Sequence, residues 1–187
     1  TGRSYPGIAC FIPQKDYSGK TLEKMGEGYD LHLITNRVIS HTKSRTVANY
    51  WLHPLMPTNG IMINSIDAKR LAIANGDSVK VISSTNTEGV WDLKNGTKKP
   101  MVGKAFVTEL IRPGVVTFAL GFGHWATGST DIIVDGETIK GDSRRAEGIH
   151  ANAAMWTDPS LRNNTCLLDP VGGSVSFYDT KVKLIPV

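Results

Sequence analysis

The sequence has few of the residue patterns that mark a self-contained metal or catalytic centre. Only two of its residues are cysteines, Cys10 and Cys166, and neither belongs to a C-x-x-C pair of the kind that binds zinc or an iron–sulfur cluster. The two thiols could form one disulfide, or each could be an isolated small side chain in or near the core. No two histidines lie three or four residues apart, and H-E-x-x-H, G-x-S-x-G and Walker motifs are missing. We therefore expect no catalytic residue and no metal ligand within this chain.

Long apolar runs and dense basic runs are also missing. No stretch is long enough to cross a bilayer, so we expect no direct membrane insertion. Lysine and arginine number 21 against 17 acidic residues, and these charges are dispersed. A formal charge of +4 suits an anionic ligand, but basic residues do not alternate with aromatic ones as in nucleic-acid binders. We expect no nucleic-acid partner. The start at Thr1 lacks the features of a signal peptide and resembles mid-chain sequence, so we expect a piece of a longer polypeptide.

What the chain does contain is short alternating apolar segments separated by many turns. The 19 glycines and 9 prolines interrupt short predicted strands near Leu31, Ile61 and Val79, at 101–110 and 115–120, and within 175–187. Asn64 or Ser65 is a predicted helix cap, and the Asp-Gly pair at 135–136 predicts a hairpin. The pattern predicts a mainly β domain, a closed barrel with few short helices and long decorated loops. We assign residues 1–28 to an irregular arm or linker and 29–187 to the barrel domain.

One segment concentrates groups that bind anions. Residues 29–46, YDLHLITNRVISHTKSRT, begin as a strand and break into a loop of hydroxyl, amide and cationic side chains, which we call the donor loop (residues 35–46). Arginine and lysine carry full charges to phosphate oxygens, and hydroxyl and backbone N–H groups add directed donors. The segment indicates a site for a phosphorylated ligand, and a polar surface loop is the alternative. The candidates are Thr35, Asn36, Arg37, His41, Ser44, Arg45 and Thr46.

Two later loops carry further candidates. The glycine-rich loop (residues 121–130, GFGHWATGST) holds His124 and Trp125, and the late loop (residues 143–170) holds Asn152. The GFG run is not a dinucleotide-binding fingerprint, since its third glycine and the following helix are missing. Each of the three residues could instead be a packing or turn residue. Loops at one end of a barrel can converge on a single large ligand, which favours a shared site.

Four segments in series resemble the C-terminal domain of the molybdopterin-dinucleotide oxidoreductases, the dimethyl sulfoxide reductase superfamily. TNRVISHTKSRT is similar to the opening motif of that domain, and IDAKRLAIANGDSVKV is similar to its D-A-x-x-L-G-I-x-x-G-D-x-V-x-V segment, with Ala72 where glycine is usual. GFGHWATG resembles the G-x-G-H-W loop of the branch with polysulfide, thiosulfate, arsenate and tetrathionate reductases. EGIHANAAMW, LLDPVGG and DTKVKLIPV resemble the ending of that branch, so the likeness covers residues 29–187.

The resemblance implies a double-psi β-barrel that caps the active-site funnel of a large catalytic subunit. Such domains hold bis(molybdopterin guanine dinucleotide) with molybdenum or tungsten. By motif match, the donor-loop candidates would line the dinucleotide, with Arg37, Ser44 and Arg45 nearest phosphate. His124, Trp125 and Asn152 would approach a pterin. The metal's protein ligand and a 4Fe-4S cluster belong to other domains of such proteins.

The branch also implies a function and a set of partners. We expect reduction of a sulfur oxyanion such as tetrathionate in anaerobic respiration, with the isolated chain inactive. The expected partners are the remaining domains of its own polypeptide, an iron–sulfur subunit for electron transfer, and a membrane-anchor subunit. The expected location is the periplasm or the outer face of the membrane. A free double-psi barrel that recognises peptides or proteins, and a structural fragment that binds no ligand when isolated, are the alternatives.

Overall fold

Six strands close into a barrel at the centre of the chain. The computed structural model describes residues 4–93, 96–125, 128–169, 171–176 and 180–187. The barrel strands are β1 (Leu31–Asn36), β2 (Ile61–Ile63), β3 (Ser78–Ser83), β6 (Val102–Val107), β7 (Val115–Ala119) and β10 (Lys181–Pro186). They follow one another around the barrel as β1, β10, β3, β6, β2 and β7. Two neighbouring pairs, β1 with β7 and β2 with β6, are parallel, and the other four are antiparallel.

Short elements decorate this barrel. Two hairpins stand outside it, one of β4 (Val90–Asp92) with β5 (Lys98–Pro100) and one of β8 (Ile132–Val134) with β9 (Glu137–Ile139). The one α-helix of the described residues is α1 (Ser65–Arg70). Single 3₁₀ turns occur at Glu23–Gly26, Lys43–Arg45, His53–Leu55, Ser143–Ala146, Ala151–Ala153 and Pro159–Leu161. The prediction of a mainly β, double-psi barrel is confirmed. Residues 177–179, within the last predicted strand segment, lie outside the described residues.

Alternation of inward and outward side chains along β1 and β3 builds much of the barrel core. Leu31 and Leu33 on β1, and Val79 and Val81 on β3, point inward and are almost fully buried. Part of the late loop belongs to the same core, because Ile149, Ala151, Ala154 and Met155 pack against the barrel interior. Burial of apolar surface is the main driving force for such packing. Part of the late loop is therefore packed into the core and is not a solvent-exposed surface loop.

The end of helix α1 shows why the D-A-x-x-L-G-I motif usually has glycine where this chain has Ala72. Asn64 caps the helix, with its side-chain oxygen accepting from the Ile66 N–H at 2.9 Å. The helix ends at Arg70, two residues earlier than the apolar pattern suggests, and Ala72 has a φ of 54°. A left-handed residue after the last turn is the common way to end a helix and favours glycine. Ala72 adopts the conformation that glycine would adopt at lower cost.

The segment before the barrel is irregular but partly anchored. Within residues 4–28 the structure shows one isolated bridge, Lys15 to Thr21, and one 3₁₀ turn. Leu22 is buried and packs with Trp156 and Leu167 in a small second cluster. The boundary at residue 28 remains a prediction. Both cysteines are free thiols, and no helix in the described part of the chain is long and apolar enough to cross a membrane.

Candidate functional site

The three loops that the sequence singles out meet at a cavity of about 560 Å³. Its wall includes Lys43 and Ser44 of the donor loop and Gly121 and His124 of the glycine-rich loop. The late loop supplies most of the remaining wall, namely His150, Ala151, Asn152, Met155, Trp156, Thr157, Asn163, Asn164, Thr165 and Cys166. A second, polar cavity of about 670 Å³ shares His150, Asn152, Asn163 and Asn164 with the first. The two cavities therefore form neighbouring compartments on either side of the late loop.

Two glycines bring the three loops into contact. Gly121 has a φ of 100°, and a Cβ there would lie 2.4 Å from the backbone carbon of Lys43. Gly123 has a φ of 73°, and a Cβ there would lie 2.5 Å from the backbone nitrogen of His150. Both the left-handed conformation and the close approach require glycine. The GFG run thus joins the donor loop on one side to the late loop on the other.

Buried Asn59 fastens the late loop to the end of β7. Its side chain is 1% exposed and donates to the carbonyl of Ala119 at 2.8 Å and to that of Ile149 at 3.0 Å. Its oxygen accepts from the Ile149 N–H at 2.8 Å. Gly148, with a φ of 87°, leaves room for this side chain, since a Cβ there would lie 2.4 Å from the Asn59 oxygen. The position of His150 in the cavity wall follows from this arrangement.

A small apolar cluster packs against the donor loop. Phe122 is fully buried with Val47 and Ala119. The ring of His41 meets Phe122 edge-on at 5.4 Å, and its Nε2 lies 2.9 Å from the carbonyl oxygen of Met56. His41 is 5% exposed, and its Nδ1 is covered and has no partner among the described residues. His41 therefore stabilises the donor loop through its contacts with Phe122 and Met56.

Two imidazoles and an indole form a cluster of rings beside the cavity. The rings of Trp91 and His150 lie 4.1 Å apart with an angle of 31°, and those of His124 and His150 lie 4.6 Å apart. Burial lowers the pKa of His124, and the charge of Lys99 lowers it further. Burial is also the main cause that lowers the pKa of His150 to about 4, with contributions from His124 and Lys99. Both imidazoles are therefore neutral at pH 7.

Lys99 lies near this cluster of rings and connects the glycine-rich loop to the late loop through hydrogen bonds. Its ammonium donates to the carbonyl of Gly123 at 3.3 Å and to that of Ala146. Burial lowers the pKa of Lys99, and the carboxylate of Glu147 opposes that effect. The hydrogen bonds to two carbonyls compensate for part of the desolvation of the ammonium.

Three of the predicted site residues, Ser44, His124 and Asn152, line the same cavity. The other predicted residues lie around it. Thr35 is 8% exposed with its hydroxyl covered and unpartnered among the described residues, and Asn36 accepts from the Thr117 hydroxyl at 3.0 Å. Thr46 accepts from the Thr42 N–H at 2.6 Å. Arg37 and Arg45 are exposed and Trp125 is half-buried, none of them in the cavity wall. Ligand contact by each predicted residue remains a prediction.

The cavity wall also contains polar residues that sequence reasoning missed as site residues, namely Lys43, His150, Asn163, Asn164 and Thr165. Lys43 and Asn163 have φ values of 50° and 56°, which are uncommon for residues with a side chain. Such conformations cluster at functional sites. The run of amides and a hydroxyl at 163–165 resembles the donor loop in composition and is the signal that could have found this wall.

The side chains that line the cavity fit the phosphates and the heterocycles of a dinucleotide cofactor. Lys43 supplies a cation and Ser44 a hydroxyl, groups that bind phosphate oxygens. The neutral rings of His124 and His150 suit an uncharged heterocycle. Among the described residues no group of three or more His, Cys, Asp or Glu side chains could hold a metal ion.

Comparisons with known proteins agree with this geometry. A family model described as the molydopterin dinucleotide binding domain matches residues 31–165. A selenate reductase subunit from Mesobacillus selenatarsenatis is 41% identical over 98% of the chain, which covers 17% of that protein. A tetrathionate reductase subunit from Salmonella typhimurium is 24% identical over 93% of the chain, and one from Archaeoglobus fulgidus is 32% identical over 67%. The chain covers only 16% and 11% of these two proteins.

The fold is also found in a solved structure. Acetylene hydratase from Pelobacter acetylenicus has a TM-score of 0.60 and 15% sequence identity, with 96% of this chain and 21% of that chain covered. This likeness concerns the fold alone. The family match extends over most of the chain, and the series of motifs, the barrel and the cavity agree with it. The chain belongs to the molydopterin dinucleotide binding domain family of the dimethyl sulfoxide reductase superfamily.

Proposed function

We propose that this chain is the cofactor-binding domain of the catalytic subunit of a molybdenum or tungsten reductase that acts on an oxyanion of sulfur or selenium. The observation that carries the proposal is the shared cavity, which Lys43, Ser44, His124 and Asn152 line together although their loops are distant in sequence. A lining that combines a cation and a hydroxyl with a neutral heteroaromatic ring suits a pterin dinucleotide, which has phosphates and heterocycles.

The residues of the chain have distinct roles in this proposal. Lys43 and Ser44 hold phosphate oxygens, and the exposed side chains of Arg37 and Arg45 add positive charge nearby. His124 and Asn152 offer hydrogen bonds to the heterocycle. When bound, the cofactor supplies the redox chemistry. The chain itself binds and orients that group and shields one side of it from water.

The similarity to named relatives narrows the substrate class. The relative named as a selenate reductase is 41% identical, and the two named as tetrathionate reductases are 24% and 32% identical. We therefore expect selenate to be the first substrate to test and place tetrathionate, the substrate expected from the motifs, second. Both are oxyanions of neighbouring chalcogens and each takes up two electrons. Selenate loses one oxygen as water with two protons, whereas tetrathionate is split at its central S–S bond into two thiosulfates, so the assay distinguishes the two reactions.

The surface supports a place within a larger polypeptide. The chain spans about a sixth of the length of the curated relatives that it matches most fully, with 17% of one and 16% of another covered. Large apolar side chains, Phe11, Trp51, Leu110 and Ile133, are strongly exposed. Apolar surface of this kind is typically covered by a neighbouring domain or partner. We propose that the rest of the polypeptide covers it, with iron–sulfur and membrane-anchor subunits beyond, at the periplasmic face.

The test begins with the full-length polypeptide that contains this chain. It is purified and assayed for molybdenum, tungsten and released guanine nucleotide, with roughly two nucleotides per metal expected for a two-pterin cofactor. Lys43→Ala combined with Ser44→Ala should lower cofactor content several-fold, since a charge-assisted and a neutral contact are both lost. Lys69→Ala, which removes an exposed lysine on α1, is the matched control. A wild-type protein with neither metal nor nucleotide would refute the proposal.

Substrate class is tested on the same preparation. Reduced dye is supplied as electron donor, and its oxidation is followed with selenate or with tetrathionate. We expect turnover with at least one of the two, and none with the isolated chain, because the absent domains complete the cofactor site. A loaded enzyme that reduces neither oxyanion would contradict the substrate class and leave the cofactor assignment intact.

A further inference from the structure

His150 occupies a special position between the two cavities. Its side chain lines both the 560 Å³ cavity and the adjoining 670 Å³ cavity. One face of its ring stacks on Trp91 at 4.1 Å, and His124 lies 4.6 Å away. Trp91 belongs to β4 and reaches the site from outside the barrel. The ring orientation of His150 is therefore fixed by contacts from two separate parts of the chain.

The surroundings of His150 keep its ring in the neutral form. Lys99 and His124 lie close enough to disfavour a further positive charge, and Lys43 lines the same cavity. Glu147 is the acidic group whose charge acts on Lys99. A neutral imidazole has one N–H donor and one acceptor nitrogen.

The acceptor nitrogen of the neutral ring distinguishes it from an imidazolium, which can only donate hydrogen bonds. An acceptor repels the oxygens of a phosphate and attracts an N–H group. The ring of His150, which lines both cavities beside Trp91, is therefore suited to the N–H-bearing edge of a heterocycle.

We propose that His150 is a ligand-binding residue that accepts a hydrogen bond from a ring N–H of the cofactor, and that Trp91 positions its imidazole. The inference rests on the proposed function, because it assigns the dinucleotide as the ligand of this cavity. The chemistry it requires is the N–H-bearing edge of a fused pyrimidinone. Both the pterin and the guanine base of the dinucleotide carry such an edge.

Three substitutions of the full-length enzyme test the role of His150. His150→Leu removes the acceptor, and His150→Gln removes the aromatic ring but keeps an acceptor oxygen. His53→Leu is the matched control, because His53 is also half-buried but does not line either cavity. Its Nε2 lies 3.1 Å from the carbonyl oxygen of Arg144. Molybdenum and guanine nucleotide are measured per polypeptide after dilution and gel filtration. The midpoint potential of the metal centre is measured by redox titration with electron paramagnetic resonance detection.

We expect His150→Leu to weaken cofactor retention on the order of five- to tenfold, the effect of one lost hydrogen bond. His150→Gln should recover part of the loss, and His53→Leu should behave as wild type. A shift of the midpoint potential together with the loss identifies the pterin as the partner, since the pterin adjoins the metal. Loss of retention at an unchanged potential identifies the guanine base. Unchanged retention and potential in His150→Leu would overturn the proposal, and a wild-type enzyme without cofactor would overturn the proposed function instead.

Trp91 provides a second test if His150→Leu fails to fold. Trp91→Leu removes the stacking surface and leaves the acceptor nitrogen in place. We expect a change in retention or potential in the same direction as for His150→Gln but smaller, with unchanged cofactor stoichiometry in the freshly purified protein. A Trp91→Leu enzyme that folds and matches wild type in both measurements would remove Trp91 from the proposal as its positioning residue.

Discussion

The clearest stability prediction concerns Asn59→Ala. The substitution removes three hydrogen bonds in a fully buried setting, two to carbonyls of Ala119 and Ile149 and one from the Ile149 N–H. Buried groups left without partners each cost about 1 kcal/mol or more, so we expect the free energy of unfolding to fall by about 3 kcal/mol. The structural change should be largest where Asn59, just before β2, meets the end of β7 and the late loop, because all three bonds lie there.

Urea denaturation of the chain, followed by tryptophan fluorescence, measures the change. Asn75→Ala is the control, since Asn75 is exposed and its oxygen accepts one hydrogen bond, from the Val107 N–H at 3.0 Å. Water can replace that bond, so its loss should cost less than about 1 kcal/mol. Hydrogen exchange at the Ile149 amide should accelerate in Asn59→Ala and not in Asn75→Ala. Equal stability losses in the two variants, with unchanged exchange at Ile149, would refute the role assigned to Asn59.

Two further predictions concern the cavity. Gly121→Ala and Gly136→Ala both place a side chain at positive φ, which costs about 1 kcal/mol each, but only the Cβ at position 121 would collide with backbone, 2.4 Å from the carbonyl carbon of Lys43. We therefore expect only Gly121→Ala to lower the cofactor content of the full-length enzyme. Equal effects of the two substitutions would contradict the proposed loop contact. The lowered pKa of His150, about 4 against an ordinary 6.5, means that its neutral form stabilises the fold above pH 6.5 and that this contribution is lost as the pH falls from 6.5 to 4. This contribution is of order 3 kcal/mol at most. The free energies of unfolding of wild type and His150→Gln, measured at a series of pH values, should converge as the pH falls from 6.5 to 4. Parallel pH profiles of the two proteins would contradict this role of His150.

The barrel was predictable because its strands are short and several of them, β1 and β3 above all, alternate apolar with polar residues. Leu31 and Leu33, like Val79 and Val81, indicate one buried face each, and the structure buries those residues. The hairpin at 135–136 was predictable from its Asp-Gly pair, and both residues have the positive φ that this turn requires. These signals are local, so a single sequence suffices to read them.

The site was less predictable because its geometry depends on contacts between distant segments. Trp91 has no explanation within its own polar hairpin, and only the fold shows that it stacks on His150. In the donor loop the chain turns at Lys43, with a φ of 50°, and this places Ser44 in the cavity wall while His41 lies beneath the loop. The direction of each side chain in a loop follows from such turns and is not encoded in a repeating pattern.

The strand order has a consequence for how the domain is made. β10 pairs with β1 on one side and with β3 on the other, although it follows both by a long stretch of sequence. During synthesis β1 and β3 leave the ribosome well before the strand that must lie between them. The barrel therefore cannot close until β10 has emerged, and contacts of such long sequence separation form slowly. The loops that build the cavity gain their support only at that moment, so the domain becomes competent to receive a dinucleotide after its translation and not during it.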